Sequence, residues 1–461
     1  MGGKWIAAHG SQPGQATARS MSGYYFSLAL RSFRRSQALT ALVIVLMGCG
    51  VATCMVTWAV FRAAAADPIP WKSSQLFVPQ IDNFGPTHNY LGQPPELLSY
   101  TDATALLRDR QARRQSLIYA IRLSVVPEEQ QRQPFSLPAD AVSSDFFAMF
   151  DVPFRYGGSW STADDDQRAG VVVISDALNR QLFGGTNSVG RELTLDTHSY
   201  RIVGVLGSWN PRPRFFDLSS SGYPFDHPGQ IYIPFSRAVD LQKSTSGSTV
   251  CSGDGNHPGS VGWDAFLHGE CGWIAAWVEL PAPADAEHYL QYLSNYAAEQ
   301  QRVGRFTWPA NVRLRNVVQW LDVERVVPKA SKLSLLVSFS FLLICLVNAV
   351  GLLLARFMRR APEIGVRRAL GASRSAIYWQ FLIEAATIGM AGGVLGLTLT
   401  WLGMKGVGLV FEPQIAELAH LDGSLLMLTM LVAIAATVIA AFYPTWRAAQ
   451  VQPAWQLKSN G

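Results

Sequence analysis

Four stretches of this chain carry no charged side chain over the roughly 20 residues that a helix needs to cross a hydrocarbon layer. They run from Ala38 to Phe61, Leu333 to Ala355, Ala385 to Met404, and Gly423 to Trp446. A buried core helix can be this apolar, but four such runs in one 461-residue chain point to a multi-pass membrane protein. Composition agrees: charged residues are 15% of the chain, where soluble domains carry about a quarter. No basic patch with interleaved aromatics is present, which argues against a nucleic-acid partner.

The arginines give the expected orientation, because short cytoplasmic loops are enriched in Lys and Arg. Arg31, Arg34 and Arg35 precede the first run, and Arg356, Arg359, Arg360, Arg367, Arg368 and Arg374 separate the second from the third. The segment between the third and fourth runs has Glu412, Glu417 and Asp422 against Lys405. Both termini are therefore expected inside. Residues 1–21 read as a disordered tail or a start placed upstream of Met21, and 22–37 as an amphipathic interfacial helix. In the latter, Phe26, Ala29, Leu30 and Phe33 face one way and the arginines largely the other. Spans are expected at 38–61, 333–355, 377–404 and 423–446. Between them lie a large outer domain at 62–332, a cytoplasmic segment at 356–376 and a short outer loop at 405–422, with a cytoplasmic tail at 447–461. Membrane lipids are thus a necessary partner.

The outer segment reads as α/β or α+β. Gly170 to Ser175 is a buried strand, with Asp176 capping a helix that ends at Gly184-Gly185. Glu192–Leu195 and Tyr200–Leu206 form a hairpin around Asp196-Thr-His-Ser, and Gln230–Phe235 and Gly272–Leu280 are strands. Asp285–Arg302 is a helix. Cys251 and Cys271 lie in the outer segment, where an oxidising compartment favours a disulfide; free thiols, or a metal site with His257 and His268, are the alternatives. Cys49, Cys54 and Cys345 fall within spans. No G-x-S-x-G, H-E-x-x-H or paired C-x-x-C occurs, so no catalytic or metal residues are assigned. The acidic run Asp164-Asp165-Asp166 reads as a solvated turn or helix cap.

Between the second and third runs, Ala361-Pro-Glu-Ile-Gly-Val-Arg-Arg-Ala-Leu-Gly-Ala-Ser-Arg374 reads as a short basic helix. Pro362 and Glu363 suit its first turn. From the residues alone it is either a place where a cytoplasmic motor pushes or a loop that only sets topology. Glu384, at the inner edge of the third span, reads as an interfacial or helix-packing residue. Asn348 and the small residues Gly389, Gly392, Gly393 and Gly396 suit a bundle or dimer interface.

The string Glu363-Ile-Gly-Val-Arg-Arg-Ala-Leu-Gly-Ala372 resembles the signature of the FtsX-like permeases, the group that includes the macrolide exporter MacB and the lipoprotein-releasing permeases. The ending Tyr443-Pro-Thr-Trp-Arg-Ala-Ala449 with Val451-Gln-Pro453 is similar to that group's ending. Ala141 to Phe147, Val171 to Ala177, Gln181 to Gly184, Ser188 to Glu192 and Ile202 to Val205 resemble a MacB-like periplasmic core domain. The resemblance implies an ABC transporter permease of the inner membrane that works by mechanotransmission, exporting a drug, peptide or similar substrate; lipoprotein release is the alternative within the family. From another class, a membrane-anchored ligand sensor or scaffold competes. The resemblance also implies a second permease protomer and an ATPase docked on Glu363, Ile364, Gly365, Arg367, Arg368, Ala369, Leu370, Gly371 and Ala372, with a periplasmic adaptor and outer-membrane channel as further partners. The chain has no G-x-x-x-x-G-K-[ST] phosphate loop, so it is expected to bind no cofactor, with ATP bound by the partner subunit. Reporter fusions test the orientation: at Gly207 the reporter should read as extracytoplasmic and at Arg374 as cytoplasmic, and a cytoplasmic signal at Gly207 would refute the topology.

Overall fold

The structure, a computed structural model, describes residues 37–89, 91–127, 133–221, 224–225, 229–251, 262–406 and 422–450. The expected amphipathic helix and N-terminal tail lie outside the described residues, as do most of the 405–422 loop and the end of the C-terminal tail. The chain divides into two compact units, one of them continuous over 65–327 and the other built from what precedes and follows it.

In the second unit, four helices among the described residues are long and apolar enough to span a membrane. They are α1 (Gln37–Ala64), α2 (Lys329–Met358), α4 (Arg374–Gly406) and α5 (Gly423–Ala449), with the short α3 (Ala361–Ala369) between α2 and α4. One span, an inserted domain and three further spans is the expected architecture. The glycines of α4 let its neighbours approach on two sides. A Cβ on Gly389 would lie 3.1 Å from the Ile434 Cα, and one on Gly393 2.6 Å from the Met430 Sδ, both on α5. On another side, Gly392 and Gly396 face α1, where a Cβ on Gly396 would lie 3.5 Å from the Gly48 carbonyl oxygen. Buried hydroxyls turn back onto their own helices, as a low-dielectric surrounding requires. Thr400, Thr429 and Thr437 each donate to the carbonyl four residues earlier at 2.7 Å. Across helices, the Thr57 hydroxyl of α1 donates to Ser338 of α2 at 2.6 Å. Asp422 caps α5 through the Leu425 N–H and accepts from Arg62 at the end of α1 at 3.0 Å.

The inserted unit is a 10-stranded mixed sheet: β1 (Leu76–Ile81), β2 (Arg114–Val126), β3 (Phe135–Val142), β4 (Phe154–Gly157), β5 (Val171–Ile174), β6 (Glu192–Leu195), β7 (His198–Leu206), β8 (Ile231–Pro234), β9 (Ala275–Glu279) and β10 (Val312–Asn316). The order is β10-β1-β9-β2-β3-β8-β5-β7-β4, with β6 bridging β2 and β7. Pairs β3–β8 and β5–β7 are parallel, and the other pairs are antiparallel. Strand β2 is the spine: it pairs β9 through Ile118, β3 from Ile118 to Val125, and β6 at its end. Gln115 to Ile121 are buried without a break, as in a strand covered on both faces, and alternation sets in only towards Val126.

Below β8 and β9 the aromatic rings interlock edge to face, with Phe146 against Phe150 at 5.1 Å, Phe150 against Phe215 at 5.2 Å and Phe215 against Trp277 at 5.4 Å. Such geometry adds about 0.5–1.5 kcal/mol per pair beyond the area buried. Ser143-Ser-Asp-Phe-Phe147 therefore belongs to the packing of this core. Two details differ from the sequence reading. Ser175, not Asp176, caps the helix Asp176–Phe183, accepting from Leu178 N–H, while Asp176 pairs with Arg155 and Arg180. The acidic run is a capped turn, but Asp165 inside it is turned inward.

Cys251 and Cys271 are joined in a disulfide that closes 20 residues of separation beside the Val250–Gly272 bridge. Closing such a loop stabilises by roughly 3 kcal/mol in the chain-entropy account. Mass spectrometry of non-reduced peptides should recover the linked pair from protein made in an oxidising envelope; two freely alkylated thiols would refute the link.

Candidate functional site

The junction of α2, α3 and α4 is built around one carboxylate. Arg356 ends α2 with its side chain fully buried, and Glu384, in the third turn of α4, is 3% exposed. Arg356 Nη2 donates to Glu384 Oε1 at 2.5 Å, and Arg360 Nη1 donates to Glu384 Oε2 at 2.9 Å. One oxygen thus holds the end of α2, and the other the turn that leads into α3. Arg360 also reaches Glu363 through Nε at 3.2 Å, Glu363 pairs with Arg367 at 2.9 Å, and Arg367 donates to Gln380 on α4 at 3.0 Å. The chain of contacts runs from α2 through α3 and closes back on α4.

Apolar packing fixes the same corner. Ile364 is buried in a cluster with Val43, Phe357, Ile377, Phe381 and Ala448. Phe357 and Phe381 lie 4.5 Å apart, and the Arg360 guanidinium covers Phe381. Pro362 sits in the first turn of α3, and the helix stops because Gly371 adopts φ +97°, a conformation that L side chains rarely take. Ser373 then opens α4 by accepting from the Ala376 N–H at 3.1 Å.

The structure divides the sequence-selected residues into two groups. Ile364 and Gly365 face inward, and Glu363 and Arg367 are engaged within the chain. Val366 and Leu370, one turn apart, face out, Leu370 at 82% exposure, with Ala369 and Gly371 beside them. Arg368 and Ala372 are half-buried. Gly371 has open space around its missing Cβ, so it serves the backbone turn and not close approach within the chain. The sequence pointed to Glu384 as a packing residue, but its two arginines were read only as topology markers. Asn348 faces away from the bundle.

A cleft of about 640 Å³ in the inserted unit is lined by Arg108, Arg110, Gln115, Asp145, Asp165 and Arg168 among others, and another of about 520 Å³ by Arg180, Phe183, Arg191 and Glu192 among others. Burial pushes the Asp165 carboxyl up to about 6, against the pull of hydrogen bonds from Ser144 and Trp160. Among the described residues no cluster of His, Cys, Asp and Glu is arranged to hold a metal; His268 Nδ1 lies 2.8 Å from the Asp264 carbonyl oxygen.

Four apolar helices among the described residues, a buried ionic corner where α2, α3 and α4 meet, and an α/β domain inserted after the first span define a multi-pass membrane protein. A family model described as the MacB-like periplasmic core domain matches residues 38–291, more than half of the chain, and one described as the FtsX-like permease C-terminal matches 335–453. The chain belongs to this family of MacB-like, FtsX-type ABC transporter permeases. Such a protein, with four apolar helices and a periplasmic-type domain, fits an inner membrane. Among curated relatives, the pyoverdine export ATP-binding/permease protein PvdT of Pseudomonas aeruginosa is 26% identical over 322 residues, covering 69% of this chain and 42% of the relative. The macrolide export ATP-binding/permease protein MacB of Salmonella choleraesuis is 24% identical over 264 residues, 57% of this chain and 34% of the relative. The chain thus spans less than half the length of these relatives. The solved periplasmic region of MacB from Actinobacillus actinomycetemcomitans overlays 54% of this chain and 92% of its own at 13% identity, with a TM-score of 0.34.

Removing one partner of a buried ion pair costs about 3–5 kcal/mol, whereas replacing the set by apolar groups is often neutral. Glu384→Leu should therefore lower the thermal unfolding midpoint of the detergent-purified protein sharply. Combining it with Arg356→Met should recover most of the loss. An unchanged midpoint for the single variant would show that the corner contributes nothing to stability.

Proposed function

We propose that this chain is the permease of an ATP-driven export complex, in which a cytoplasmic ATPase on a separate chain pushes on α3 and the inserted domain moves on the far side of the membrane. The single observation that carries this reading is the double grip of Glu384. Because its two oxygens hold Arg356 and Arg360, a load on α3 is delivered to both α2 and α4. The arginine bias supports an orientation with both termini and α3 inside and residues 62–332 outside. The names of the relatives state export, of pyoverdine in one case and macrolides in the other. The cargo of this chain is taken as a drug-like or peptidic molecule. These 461 residues hold no phosphate-loop motif, so the ATP-hydrolysing site that this reading requires is not among them. Two permease protomers would pair, and an adaptor with an outer-membrane channel would complete the route.

The docking surface in this proposal is the outward edge of α3. Val366 and Leu370 supply an apolar contact, with Arg368 beside them. Charge alone would not suffice, since exposed ion pairs contribute only about 0–1 kcal/mol. The permease should co-purify with its ATPase and change that enzyme's turnover. Val366→Asp with Leu370→Asp, or Gly371→Leu, should abolish both effects while membrane insertion persists; Arg368→Glu alone should do less. Full coupling in the first two variants would reduce α3 to a topogenic loop.

A further inference from the structure

The cleft of about 640 Å³ in the inserted unit is divided by charge. Its volume falls within the roughly 300–1,000 Å³ of small-molecule sites. Arg108, Arg110 and Arg168 are exposed at its rim, whereas Gln115 is buried and Asp145 and Asp165 are half-buried. Arg113, 3.8 Å from Glu279, and Asp166 complete the charged lining. Arg168 is answered by Asp240 at 2.5 Å. Arg108 and Arg110 have no carboxylate within ion-pair distance among the described residues. The backbone adds a second sign. Arg110 closes the helix Tyr100–Asp109 at φ +48°, and Arg168 follows the turn Thr162–Asp166 at φ +53°. Left-handed helix ends usually go to glycine, because other side chains are strained there. Two such ends face one cleft, and both hold arginine.

The floor has the opposite chemistry. Gln115 is 6% exposed. Its Nε2 donates to the Leu106 carbonyl at 3.0 Å and the Leu107 carbonyl at 3.3 Å, which fixes the amide's orientation. Its Oε1 then finds no hydrogen-bond partner among the described residues. A buried acceptor left unpaired is costly, so a donor from outside the chain is called for. Asp145 lies against the same residue, its Oδ2 accepting from the Gln115 N–H at 3.1 Å, and Asp165 accepts from the neighbouring Ser144 N–H at 2.6 Å. A ligand with only negative charge would meet the arginines and be repelled by these carboxylates. A ligand with only positive charge would meet the reverse.

We propose that this cleft is a recognition site for a small zwitterion, with Arg108 and Arg110 holding its carboxylate at the mouth and Asp145 and Gln115 Oε1 taking its ammonium on the floor. A guanidinium grips a carboxylate through two parallel N–H···O bonds, the strongest arrangement open to exposed groups. The carboxylates below reject a bare polyanion, and the arginines above reject a bare cation, so discrimination comes from repulsion as well as attraction. The site lies wholly within residues 65–327 and stands on the geometry of that unit. Only the role of the ligand as cargo rests on the export reading.

Equilibrium binding to the full-length, detergent-purified protein tests it, with trialanine as the probe beside its C-terminal amide and its N-acetyl form. The free zwitterion should bind saturably in the millimolar range. Either block should weaken binding about tenfold to a hundredfold, as loss of hydrogen bonds to a charged group does. Arg108→Gln combined with Arg110→Gln should cost as much as the C-terminal amide, and the amide should lose nothing further on that variant. Asp145→Asn should behave in the same way toward the acetylated form. Arg110→Gly alone relieves the backbone. It should weaken binding with a thermal unfolding midpoint no lower than the parent's, which separates lost recognition from lost folding. Equal affinity for free and blocked forms, unchanged affinity in the arginine variants, or no saturable binding by the folded protein would overturn the site. The measurement needs no ATPase, so such a failure leaves the coupling test on α3 unaffected, and lost coupling there leaves the recognition site standing.

Discussion

A carboxylate buried in an apolar bundle has to be neutralised where it stands, and the base of this permease is organised around that requirement. Glu384 is nearly inaccessible, and both its oxygens are taken by guanidiniums from a different stretch of chain. The price of bringing three ionised groups together out of water is high, and the attraction recovers it only when the geometry is good. The contacts at 2.5 and 2.9 Å meet that condition. The same geometry dictates where α2 ends, how the chain turns at Arg360 and which face of α3 points inward.

The rest of the bundle has little else to hold it in register. Helices in lipid gain no hydrophobic drive toward one another, so they rely on close packing and a few polar contacts. Here the packing comes from α4, whose glycines alternate between two neighbours: Gly389 and Gly393 admit α5, and Gly392 and Gly396 admit α1. The Thr57–Ser338 bond joins α1 to α2, and the Arg62–Asp422 pair joins α1 to the start of α5.

The sequence revealed the spans, the short basic helix and the strands with punctuated ends, such as Val171–Ile174 and the Glu192–Leu206 hairpin. Those signals are local: an uncharged run, a proline in a first turn, a glycine after a helix. Strand β2 escaped the reading although it is the spine of the sheet. Its first half, Gln115 to Ile121, is buried without a break and shows no two-residue alternation, which sets in only from Ile121 to Val125, and the polar Arg114, Gln115 and Ser116 open it where an apolar run would be the signal. The role of Arg356 escaped for another reason. Beside a span an arginine looks like a topology signal, and only the register between two antiparallel helices reveals that it faces Glu384, 28 residues away. The inward turn of Glu363 and Arg367, which leaves Val366 and Leu370 outermost, depends on how α3 packs.

The edge of the inserted sheet bears on how such a chain can evolve. Strands β1 and β10, its first and last, are antiparallel neighbours with Phe77 opposite Asn316, and the Val317 N–H reaches back to the Ser73 carbonyl. The polypeptide therefore enters and leaves the unit at one place, on adjoining strands. A block attached in this way is a cassette: it can be lengthened, trimmed or exchanged for another with a similar pair of ends, and the helices on either side need not be rethreaded.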